Sequence, residues 1–306
     1  MHHSYDADDP QALVDLLIEG TRRLLLFGPP GIGKSTLAAA LARGLSAADR
    51  RVLCLAADPG MPPFGLPGAL NLGIWTQAGW TATDREALCS LDAARFRLPL
   101  IEAAGRLANQ SGDALLLIDA PGVVRGVAGA ELLTALTHIT GVDLVAVLTR
   151  EGQSLALEQE LAALTCEVVA VRASPLARRP GKALRERRRT RQWNDYLADA
   201  VERQIALSAI STLGTPPRRA AEAWQGKQVA FLSGDVTVGM GEVIGMTGEM
   251  LRILLPPADR LTSRLLVRDA VREASGLLVT GKRFAEHVVR YLPPSVLVPD
   301  DRLEPA

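Results

Sequence analysis

The stretch Gly28-Pro29-Pro30-Gly31-Ile32-Gly33-Lys34-Ser35-Thr36 fits the pattern G-x-x-x-x-G-K-[ST] in full. Its flanks constrain the fold more than the string does. The apolar run Arg23 to Phe27 (RLLLF) enters it, and the Ala/Leu-rich stretch Lys34 to Leu45 leaves it. A buried strand therefore turns sharply into a helix N-terminus. Glycines at that turn let successive backbone N–H groups point inward around an anion, and the helix end adds partial positive charge. Lys34 supplies a point charge for β- and γ-phosphates, and Ser35 offers a hydroxyl to Mg²⁺. All nine residues from Gly28 to Thr36 are candidate nucleotide contacts. An ordinary glycine turn ahead of a helix is the bland alternative, and it leaves the Lys-Ser pair unexplained.

The same alternation continues along the chain. Strands are expected at Arg51–Ala56, Ala114–Ile118, Leu144–Leu148 and Val168–Val171. Helices are expected over Ala94–Asn109, with Pro99 as a break or first-turn residue, and over Ala130–Ile139, Ser154–Leu164 and Thr190–Leu207. Apolar strands alternating with helices imply α/β architecture, a P-loop NTPase parallel sheet with helices on both faces. From Lys227 the pattern changes. Short β-prone runs (QVAFL, EVIGM, LRILL, GLLV) are punctuated by glycine and read as a small β-rich C-terminal domain. Gly214-Thr-Pro-Pro217 reads as the linker, which gives a P-loop domain over 1–212 and a β-rich domain over 213–306.

Two carboxylates close strands. Asp58 ends RVLCLAAD, and Asp119 ends ALLLID. Strand C-termini face the ligand crevice in this architecture, so Ser35, Asp58 and Asp119 are the candidate Mg²⁺ set. A loop-capping role is the alternative for each aspartate. Asp119-Ala-Pro-Gly122 also fits the D-x-x-G of GTPases. The later stretch Leu148-Thr-Arg-Glu-Gly152 has no Asn-Lys-x-Asp to read guanine, so ATP is the expected nucleotide.

Arg178 to Arg191 (RRPGKALRERRRTR) holds eight basic residues and one acid. The whole chain carries 34 Lys plus Arg against 34 Asp plus Glu, so this clustering is local. Such a segment serves to cover a nucleotide's phosphates or to hold those of a polynucleotide. A solvated helix face is the third reading. Trp193, Tyr196 and Leu197 read as the apolar side that anchors it.

Other classes fall away. No apolar run reaches the roughly 18 residues of a membrane span, so no membrane role is expected. The opening MHHSYDADDP has no basic-then-apolar pattern, so no secretory signal is expected. Cys54, Cys89 and Cys166 are too scattered for a disulfide framework or a zinc site, which fits a reducing cytoplasm. Aromatic residues are 4% of the chain, which argues against an open sheet that stacks bases. His138 and His287 stand alone and read as packing or surface residues. His2 and His3 carry no inference.

Four stretches together resemble the polynucleotide 5′-hydroxyl kinases of pre-mRNA cleavage, tRNA splicing and ribosomal-RNA processing, in a short bacterial-archaeal form. They are GPPGIGKST at 28–36, ADPGMPPFGLPGALNLG at 57–73, LLLIDAPGVVRGVAGAELL at 115–133, and RERRRTRQWNDYL at 185–197. The likeness covers about residues 20 to 200. It implies transfer of the ATP γ-phosphoryl group to the 5′-OH of RNA or DNA. Lys34 and Ser35 would hold phosphates and metal. Asp58 would accept the proton of the attacking hydroxyl and help order Mg²⁺. Arginines of a lid spanning about 173–197, with Arg188 and Arg191 foremost, would cover the phosphates. Two stretches depart from the family. Met61 and Pro62 follow Asp58-Pro-Gly where the family has Gln and then a small polar residue. Ala120 stands where the family has the Thr of a T-x-G clasp. Three functions remain open: the polynucleotide kinase, a weakened ATP-binding protein or ATPase acting as a switch or RNA-processing partner, and a kinase for a small alcohol.

Overall fold

The computed structural model describes residues 5–215 and 221–281. His2, His3, His287, positions 216 and 217 of the expected linker, and the tail 282–306 lie outside the described residues.

The elements follow in the order β1 (Tyr5–Asp6), α1 (Gln11–Glu19), β2 (Arg23–Phe27), α2 (Lys34–Ala47), β3 (Val52–Ala56), β4 (Ala69–Thr76), β5 (Gly79–Ala87), α3 (Arg97–Ala108), β6 (Leu115–Asp119), α4 (Gly126–Ile139), β7 (Leu144–Thr149), α5 (Glu158–Ala162), β8 (Glu167–Arg172) and α6 (Lys182–Tyr196). The first sheet runs β1-β8-β7-β2-β6-β3-β4-β5. β1 to β3 along this path pair in parallel, and β4 and β5 add an antiparallel hairpin at the edge. Strand periodicity sends alternate side chains to opposite faces. Leu25 and Phe27 of β2 join Leu116, Ile118, Val145 and Val147 beneath α3 and α4. Leu24 and Leu26 join Leu115, Leu117 and Leu144 beneath α1 and α2. Burial on both faces explains why these strands read as unbroken apolar runs.

The chain continues through β9 (Val201–Ala206), β10 (Ser211–Gly214), α7 (Ala221–Trp224), β11 (Lys227–Ser233), β12 (Val236–Thr247), β13 (Met250–Leu255), β14 (Arg264–Arg272) and β15 (Leu278–Thr280). These strands form a second sheet, β10-β14-β11-β12-β13-β9, with β15 paired to β14. It has its own core around Phe231, Val243, Ile253 and Val267. A third buried layer joins the sheets: Ala69 and Ala87 of the first, with Cys89 just past β5, meet Ala230, Met240, Leu266 and Ala270 of the second, with Trp193 of α6 among them.

The architecture is therefore α/β with a β-rich C-terminal part, as expected. Two expected helices come out differently. The helix expected over Thr190–Leu207 ends at Tyr196, and Val201–Ala206 is a strand held by full antiparallel pairing with β13. Helix-favouring Glu, Arg, Gln and Ala there are overridden by tertiary pairing. The second sheet thus begins at Val201, ahead of the expected linker. The helix expected over Ser154–Leu164 shortens to Glu158–Ala162. Pro99 lies in the first turn of α3, where its missing N–H costs no helical bond.

Candidate functional site

β2, β3, β6 and β8 end on one edge of the first sheet, and the loops leaving them line a cleft of about 840 Å³. The β2–α2 loop forms its floor. Gly33 takes φ +109° as the residue before α2, and Gly31 takes φ +77°, both backbone states that favour glycine. Lys34 Nζ turns back and donates to the carbonyls of Gly28 (2.8 Å) and Pro29 (3.2 Å). These bonds fix the loop's curvature with a buried ammonium at its centre. Ser35 Oγ donates to Asp119 Oδ2 at 2.5 Å. The hydroxyl and the carboxylate that the sequence placed 84 residues apart therefore meet as one oxygen pair.

The electrostatics follow from burial. Asp119 is 3% exposed, and desolvation pushes its pKa up to about 6. The Lys34 charge and the Ser35 hydrogen bond oppose that rise, and the neighbouring Asp58 charge adds to it. Burial also lowers the Lys34 pKa, against the pull of Asp119 and Asp58. The three groups thus interact as one cluster. Asp58 lines the cleft, with Oδ1 accepting the Gly60 N–H at 2.9 Å.

The cleft extends to both sides of the cradle. Toward β3 it is walled by Asp58, Met61, Pro63, Leu91 and Asp92; toward β8 by Ala7, Asp8, Ser174 and Leu176. Four inter-strand steps separate β3 from β8, a span of roughly 19 Å at about 4.8 Å each.

Residues 99–199 match the family model described as "mRNA cleavage and polyadenylation factor CLP1 P-loop". That match spans about a third of the chain. It includes Asp119, the whole of α6 and two of the four motif stretches, 115–133 and 185–197, and there it bears out the resemblance. Two solved structures share the fold. One is a wild-type Clp1p–Pcf11p complex, with a TM-score of 0.69, 12% identity, 89% of this chain covered and 80% of that chain. The other is described by an extended Pcf11p–Clp1p interface and the structural basis for ATP loss in a glycine-to-arginine point mutant; its TM-score is 0.68 at 13% identity, covering 87% and 80%. No curated protein sequence matches.

Within the matched region the expected lid arginines separate. Arg188 lines the cleft. Arg191 does not: its side chain is 85% exposed and approaches Asp195 at 4.0 Å. At about 100° per residue, the stripe facing the cleft runs through Arg185, Arg188 and Arg189 rather than on to Arg191. Arg178 and Arg179 also line the cleft, from the strap that precedes α6. Sequence reasoning named the basic run but not these members. Their signal was Pro180-Gly181, which starts the helix at Lys182 and leaves the two arginines in the loop. Asp92 and Thr280 were missed outright; Asp92 lies in a turn it caps itself, and Thr280 comes from the second sheet. Met61 and Ala120, the two departures from the family pattern, both line the cleft. His138 is exposed near the end of α4. No helix among the described residues is long and apolar enough to cross a membrane.

Proposed function

We propose that this protein is an ATP-dependent polynucleotide 5′-hydroxyl kinase. The observation that carries the reading is the convergence on one cleft of the Lys34–Ser35–Asp119 cluster, Asp58 and a stripe of arginines.

The residues suit Mg²⁺ with its nucleotide. Among the described residues no group of three or more His, Cys, Asp or Glu side chains could hold a metal by itself. Mg²⁺ commonly takes one or two protein oxygens, phosphate oxygens and water. Ser35 and Asp119 are such a hard-oxygen pair, with Asp58 nearby, and the ion would neutralise charge on the β- and γ-phosphate oxygens. The chain's own groups do the rest. Backbone N–H groups from Gly31 to Ser35 cradle the phosphates at the start of α2. Lys34 balances their charge from below. Asp58 accepts the proton of the acceptor hydroxyl as its oxygen attacks the γ-phosphorus, and the bond from that phosphorus to the β,γ-bridging oxygen breaks to release ADP. Arg188 and Arg185 stabilise the charge spread over the transferring oxygens. The nucleoside occupies the β8 side of the cleft and the acceptor the β3 side, with the cradle between them.

A stripe of arginines favours a polyanionic acceptor over a small alcohol. The test is γ-labelled ATP with a 5′-OH oligonucleotide. Label on the oligonucleotide, lost in Lys34→Ala, supports the reading. Phosphate release without labelled oligonucleotide overturns it in favour of an ATPase or switch.

That second reading has specific support. Met61 and Ala120 offer no amide or hydroxyl at the cleft wall. The solved relatives are Clp1p bound to Pcf11p, so an ATP-binding scaffold that docks a protein partner in RNA processing is the alternative. The reducing cytoplasm fits either role.

A further inference from the structure

The arginine helix α6 is fastened at its sheet-facing side, and the fasteners come from the second sheet. Leu278 of β15 is bracketed by two neighbouring residues of α6. Its N–H donates to Thr190 Oγ1 at 2.9 Å, and its carbonyl accepts from Arg189 Nε at 2.7 Å. One turn on, the buried Trp193 donates its indole N–H to Glu242 Oε2 at 2.7 Å. The other Glu242 oxygen accepts from Arg272 Nε, also at 2.7 Å. Arg272 pairs in register with Leu278 across β14 and β15. The contacts therefore close a ring: Thr190 to Leu278, across the strand pair to Arg272, through Glu242 to Trp193, and back along the helix.

Thr190 and Trp193 lie on the arc of α6 next to the one that presents Arg185 and Arg188 to the cleft. One residue of helical rotation is about 100°, enough to carry those guanidinium groups off the cradle. Thr190 suits the task of preventing it. It is 8% exposed, its branched side chain is stiff at χ1, and its hydroxyl meets a backbone N–H that belongs to another element.

We infer that the second sheet is the positioning platform for the arginine face, and that Thr190 is the positioning residue that sets the rotation of α6. Its kinetic consequence rests on the phosphoryl-transfer reading; its structural consequence does not.

The test uses the full chain carrying Thr190→Val, which keeps the shape and removes the acceptor. The turnover of oligonucleotide phosphorylation falls about tenfold, as expected when a buried N–H loses its partner, while KM for Mg·ATP stays within about twofold. Thr190→Ser restores turnover. Combined with Arg188→Ala, Thr190→Val costs less than the full product of the two losses, because Thr190 acts in part through the Arg188 guanidinium. Wild-type turnover in Thr190→Val, or losses that multiply fully in the double variant, would overturn the inference. A second readout needs no transfer activity: trypsin cleaves after the arginines of α6. Faster cleavage within α6 in Thr190→Val, with cleavage at arginines outside α6 unchanged, supports the platform even if the wild type phosphorylates nothing. Equal cleavage rates overturn it.

Discussion

The backbone of Arg179 crosses over Gly31 so closely that a β-carbon on Gly31 would sit 2.4 Å from the Arg179 Cα and 2.6 Å from its N. The strap before α6 thus rests on the rim of the phosphate cradle. Only a residue without a side chain permits the contact, and the φ of +77° at Gly31 adds a second reason. Gly31→Ala should displace the strap and strain the loop. At about 1–3 kcal/mol for such strain, nucleotide affinity should drop roughly 5- to 100-fold by calorimetric titration. Unchanged affinity would mean that strap and cradle move independently of the nucleotide.

Arg188 and Arg191 should separate in kinetics as they do in space. Arg188→Ala should slow phosphoryl transfer by about 10- to 100-fold, in line with losing one charge-assisted contact. Arg191→Ala, on the exposed side of α6, should stay within about twofold. Equal losses from both would require α6 to turn during the reaction.

Asp119 should link proton uptake to stability and to binding. Its pKa rises from 3.8 to about 6 on folding, so the folded state holds its proton more tightly than the unfolded chain. The associated stability is fully present below pH 4 and is lost as pH rises through about 6. Roughly two units correspond to about 3 kcal/mol. Asp119→Asn should flatten this part of the pH–stability curve in chemical denaturation. A cation beside the carboxylate favours its charged form, so Mg·ATP binding near pH 6 should release a proton. Titrations in buffers of different ionisation enthalpy would detect it, and the release should vanish near pH 8.

Asp269 ties the two sheets together. It is fully buried in β14 of the second sheet and pairs at 2.7 Å with Arg95, in the turn between β5 and α3, with Lys227 adding its charge nearby. Asp269→Ala leaves buried positive charge without its carboxylate. A loss of about 3–5 kcal/mol is expected for such a break, read as a large fall in melting temperature. A shift within one or two degrees would show that Arg95 finds water instead.

Much of the cleft was legible because its chemistry is local. The cradle is contiguous, and Asp58 and Asp119 each follow an apolar strand whose direction fixes which edge they reach. What escaped was set by distant partners. The run VERQIA at 201–206 has no strand signature and becomes one only beside β13. The hairpin β4–β5 turns at Gln77-Ala78 without the Asn-Gly or Asp-Gly that marks a tight turn, so it went unread. β14, at Arg264–Arg272, carries charged residues that interrupt its apolar pattern; Arg268 donates to Leu88 O across the inter-sheet layer. Arg191 was misplaced for a related reason. Spacing on a helix says which residues share a face, and only the neighbouring sheet says which face is turned inward.

Thr280 and Asp58 stand on walls of one cleft though more than two hundred residues separate them along the chain. A polypeptide leaving the ribosome would assemble its first sheet and cradle well before β15 emerges. Until β12 is made α6 would lack Glu242, and until β15 is made it would lack Leu278. The arginine face is thus fixed only once β12 and β15 are both in place, so a chain lacking those strands would form the cradle without the contacts that hold α6 against it.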